Sequence, residues 1–109
     1  MQVVVVKPYG DGADYVYSKE IKGELEEMQK IVGGYIEVVP ATPDGEILIV
    51  CNEEGMLQNL PLNCLGIHGT IFFIGNDTPE FRGLTDKEVD FVFKVIQARS
   101  GASIHLKEK

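Results

Sequence analysis

The chain has no tryptophan, two cysteines and two histidines, and nowhere do the roughly 18 consecutive apolar residues of a membrane-spanning helix occur. Each scarcity removes a class of protein. Cys51 and Cys64 stand in apolar settings, which predicts reduced core thiols in place of a disulfide framework. In Cys64-Leu65-Gly66-Ile67-His68 the spacing fits no zinc pattern, and a structural site would need two further ligands from Cys51 and His105, so neither metal nor cofactor is expected. Basic residues are also few: ten Lys and Arg against seventeen Asp and Glu leave a net charge of -7. The cations are scattered along the sequence, which argues against long nucleic acid as a partner. The amino terminus shows no basic segment leading into an apolar stretch and cleavage site, so the expectation is a cytoplasmic protein with no membrane partner.

What is present is patterned apolar sequence. An apolar content of 44% over 109 residues can supply one core, and residues 1–109 read as a single domain. Val3-Val4-Val5-Val6 reads as a central strand covered on both faces. Pro8 and Gly10-Asp11-Gly12 then turn the chain into a second strand running through Tyr15 and Tyr17 to about Ile21, as in a hairpin. From Glu24 to Val32, Leu25, Met28, Ile31 and Val32 recur at helical spacing, and Glu24, Glu26 and Glu27 crowd its positive end. Gly33 or Gly34 is expected to end that helix in a left-handed conformation. Tyr35 to Val39 alternates, and Pro43-Asp44-Gly45 turns it antiparallel to the strand Glu46 to Cys51. Leu60-Pro61-Leu62-Asn63 predicts an extended or looped crossing, and Gly69 to Gly75 a buried strand that exits at Asn76-Asp77-Thr78-Pro79. Thr85 and Glu88 form a capping box, with Leu84 and Val89 as a hydrophobic staple, at the start of a second helix striped by Val89, Val92, Phe93 and Ile96. That helix ends at Ser100-Gly101. Ala102 to Leu106 is expected to add an edge strand, with Lys107-Glu108-Lys109 loose.

These elements predict an α+β domain of two layers, a mainly antiparallel sheet of about five or six strands with two helices on one face. A doubly wound parallel sheet would require regular strand-helix alternation, which the middle of the chain lacks.

Several blocks occur in a fixed order: the valine-rich first strand, Gly33-Gly34-Tyr35-Ile36-Glu37-Val38, Cys51-Asn52-Glu53-Glu54-Gly55, Leu60-Pro61-Leu62-Asn63, Gly69-Thr70-Ile71-Phe72-Phe73 and Leu84-Thr85-Asp86. In this order the chain resembles a small family catalogued as domain of unknown function 3846, from about Val3 to Ile96. The resemblance implies an origin in phages, plasmids or other mobile elements and implies no reaction.

The function expected on these grounds is a non-enzymatic accessory protein that counters host defence by sequestering a small nucleotide-type signal or a host protein in the host cytosol. A small pocket for such a ligand is expected to combine aromatic and polar groups and to be completed in a homo-oligomer. Tyr9, Tyr35, Asn52, Asn63, His68 and Arg82 are the candidate ligand-binding residues. For Asn52, Asn63 and Thr70 the competing reading is a bond that stabilises a turn or loop. The alternatives are a hydrolase using His68 with Cys64 or a carboxylate, and an accessory subunit of a larger complex. Glu53 and Glu54, adjacent in a turn, read as solvated, and Glu37 with Tyr35 as the outward face of a strand.

Overall fold

Four valines in succession can be buried only if both faces of their strand are covered, because successive side chains point to opposite sides. The computed structural model, which describes residues 1–8, 16–100 and 106–107, meets that demand. Strand β1, Gln2–Val6, buries Val3 to Val6 to within 1% of full occlusion. It lies between β2, Val16–Glu20, and β5, Ile71–Asp77, antiparallel to both. On the other side of β5 come β4, Ile47–Asn52, and β3, Ile36–Pro40, so that the sheet runs β3-β4-β5-β1-β2. A short strand β6, Glu80–Arg82, folds back on the end of β5, and β7, Leu106–Lys107, adds a parallel pair to β2.

The fold is α+β, with six strands paired antiparallel and two helices. The helices do not share a face, and the expected two-layer arrangement is corrected to three layers. Helix α1, Leu25–Val32, buries Met28 and Val32 against Val3, Val5, Val50, Phe72 and Ile74. Helix α2, Asp86–Ser100, buries Val89, Val92, Phe93 and Ile96 against Val4, Val6, Val16, Ile71 and Phe73. The reason lies in β1 and β5: their odd- and even-numbered side chains are both apolar, and one helical layer would leave half of them in water.

The local signals for these elements hold. Gly33 takes φ 79° at the end of α1, a left-handed residue that costs a side chain strain but glycine none, and its N–H and that of Gly34 both donate to Gln29 O. The Thr85 hydroxyl accepts from the Glu88 N–H at 3.1 Å, and the Glu88 carboxylate accepts from the Thr85 N–H at 2.9 Å. The hairpins β1-β2 and β3-β4 pair as expected. Strand β6 was not anticipated: Asn76 to Pro79 is a hairpin turn and not an exit, and β5 runs on to Asp77 within it. Lys107, expected to be loose, is paired opposite Tyr17. The Gly10-Asp11-Gly12 turn, Tyr15 and the stretch from Gly101 to His105 lie outside the described residues.

Candidate functional site

Strand alternation builds the site. In β1 the side chains of Val3 and Val5 point to the α1 face, and continuing the alternation brings Lys7 to that side. In β2, Tyr17 stands opposite Val5 and Lys19 opposite Val3, so they share that face. Helix α1 lies over β3, β4 and β5. Along its near flank, Glu27, Lys30 and Ile31 follow one another at three- and four-residue spacing. The step between helix and sheet is an open groove of about 320 Å³ lined by Lys7, Tyr17, Lys19, Glu27, Lys30, Ile31 and Thr70.

Three lysines and one carboxylate make this groove basic in a chain of net charge -7. The Lys7 ammonium stands 5.9 Å from the centroid of the Tyr17 ring, within range of the ring's negative face. Among the described residues Lys19 and Lys30 enter no ion pair. Glu27 is engaged through one oxygen, which accepts the Lys22 and Gly23 N–H groups at 2.8 and 3.0 Å. The groove thus offers cations, an aromatic ring, a hydroxyl and a carboxylate, the set of groups that a phosphate joined to a flat heterocycle would use.

None of the candidate ligand-binding residues that the structure describes lines this groove, whereas Thr70, weighed in the sequence beside Asn52 and Asn63, does. Tyr9 lies outside the described residues. Tyr35, 69% exposed, precedes β3, and its carbonyl accepts the Glu53 N–H. Asn52 is buried, donates to Val32 O at 3.2 Å and accepts the Glu54 N–H at 2.8 Å, which ties the end of α1 to the end of β4. Asn63 is buried as well: its amide donates to Gly69 O, and its oxygen accepts from Leu65 and Ile67. The two asparagines therefore form the turn- and loop-stabilising bonds weighed against ligand contact. His68 shares the Asn63 loop, and its Nδ1 donates to Leu60 O at 2.7 Å. Arg82 forms a bidentate pair with Glu88 at 2.7 and 3.0 Å and donates to the carbonyls of Asn76, Gly83 and Glu46. Asn52 and His68 meet at Gly55, where a Cβ would stand 3.4 Å from Asn52 O and 2.8 Å from His68 O, whereas Arg82 is on β6.

Neither cysteine is in a disulfide. Burial, with a smaller contribution from the Glu37 carboxylate, pushes the Cys51 thiol up in pKa, which disfavours the thiolate. Among the described residues no group of three His, Cys, Asp or Glu side chains could hold a metal ion, and no helix is long and apolar enough to cross a membrane.

The lysine groove was missed because its residues come from the end of β1, from β2, from α1 and from the approach to β5. The signal lay in alternation, Val3-Val5-Lys7 and Tyr17-Lys19, but the hairpin register that aligns the two runs depends on a turn whose length no single residue announces.

No curated protein and no solved structure matches this chain. The family model described as domain of unknown function (DUF3846) matches residues 1–97, nearly the whole of the α1-sheet-α2 unit, and the chain belongs to that family.

Proposed function

We propose that this protein binds a small anionic ligand of the nucleotide type in the lysine groove and holds it without transforming it. One observation carries the reading: three of the chain's ten basic side chains, Lys7, Lys19 and Lys30, come together around Tyr17. In an acidic protein, repulsion from the rest of the surface works against anion capture, so a local excess of cations beside an aromatic ring favours a ligand that uses both. At about 320 Å³ the groove lies near the lower end of the ~300–1,000 Å³ range of small-molecule sites, which suits one nucleotide unit. The wider use we propose, withdrawing a signalling nucleotide from a host defence pathway on behalf of a phage or plasmid, is drawn from the family resemblance and not from the groove.

Titration calorimetry with a nucleoside diphosphate tests the reading. Lys19→Glu and Lys30→Glu are each expected to weaken binding about tenfold at low ionic strength, with the loss shrinking as salt rises. Lys94→Glu, exposed on α2 across the sheet, should leave affinity unchanged. Equal binding by all variants would overturn the assignment, and steady conversion of the nucleotide by the full chain would replace holding with catalysis.

A further inference from the structure

We infer that Glu27 sets the base preference of the lysine groove, accepting a hydrogen bond from an exocyclic amino group and so selecting amino-bearing nucleotides over their keto counterparts. This rests on the nucleotide-type reading above. Glu27 is the single acid among the groove-lining residues. Its Oε1 takes both backbone donors of the turn before α1, and no described residue bonds Oε2, which is the oxygen left for a ligand.

The turn that orients the carboxylate is itself held. Gly23 sits at φ +88°, and the Met1 thioether occupies the space where a Cβ would stand, 2.6 Å from its terminal methyl. The Met1 amino group donates to Ile21 O at 2.7 Å, so the chain terminus pins the same segment. An ionised carboxylate only accepts hydrogen bonds. An amino N–H meeting Oε2 forms a charge-assisted bond, whereas a keto oxygen in its place sets two acceptors against each other. Glu27 also repels phosphate, which directs that group to the lysines and the base to the carboxylate.

Titration of the full chain with adenosine diphosphate and inosine diphosphate, which differ at the amino and keto positions, decides the matter. The unaltered protein should bind the adenosine compound about tenfold more tightly. Glu27→Gln keeps an oxygen for the Lys22 and Gly23 N–H groups and offers an amide donor in place of Oε2, so the preference should vanish or reverse while the melting temperature stays the same. Equal affinities in the unaltered protein, with binding still lost on lysine reversal, would overturn the role of Glu27 and leave the nucleotide reading standing. Binding of neither compound would overturn both.

Discussion

Arg82 shows how one side chain can look like a ligand-binding group in the sequence and act as a clasp in the structure. Its guanidinium joins β6 to the start of α2 through Glu88 and to the approach of β4 through Glu46. The hydrogen bonds from Arg82 are the main reason that the Glu88 carboxyl is lowered from 4.5 to about 2; burial opposes the shift, and the Thr85 N–H adds to it. A carboxylate with a depressed folded-state pKa stabilises the fold above its unfolded value, and that stabilisation disappears as pH falls from about 4.5 toward about 2. Its magnitude is on the order of 2 kcal/mol once solvent at a partly exposed pair is allowed for. Denaturant unfolding across that range should therefore show a loss of stability in the unaltered protein that is absent in Glu88→Gln; parallel curves for the two would refute the clasp. Asn52 and Asn63 teach the same lesson, since every polar group that made them attractive as ligand contacts is occupied by backbone.

At the level of elements, the capping box of α2 was legible in the sequence because it is local: Thr85 and Glu88 lie three residues apart and satisfy each other's backbone N–H groups. Thr85→Ala should cost about 1 kcal/mol, measured as a shift of the unfolding midpoint at constant slope. No shift would mean that packing alone fixes the start of the helix. The end of α1 was legible for a similar reason, its left-handed Gly33 being dictated by chain geometry. Strand β6 was not, because Glu80-Phe81-Arg82 carries no alternation long enough to read, and its pairing depends on β5 extending beyond Gly75 to receive it.

For the whole molecule, the sheet divides the apolar residues into two cores, one beneath each helix. Strands β1 and β5 sit at the centre with both faces covered, while β3 forms an edge with Glu37 and Val38 exposed. Hydrogen exchange should be slowest in β1 and β5 and faster in β3, since central amides are freed only by opening most of the structure. Slower exchange in β3 than in β1 would point to a covered edge. The periodic elements, their caps and turns, and the need of the valine run for cover on both sides can be read from the order of residues alone, because those properties depend on neighbours a few residues apart. The placement of α1 and α2 on opposite faces and the meeting of Lys7, Tyr17, Lys19 and Lys30 emerge only in the folded chain, because strand register and helix placement are settled by contacts between residues far apart in the chain.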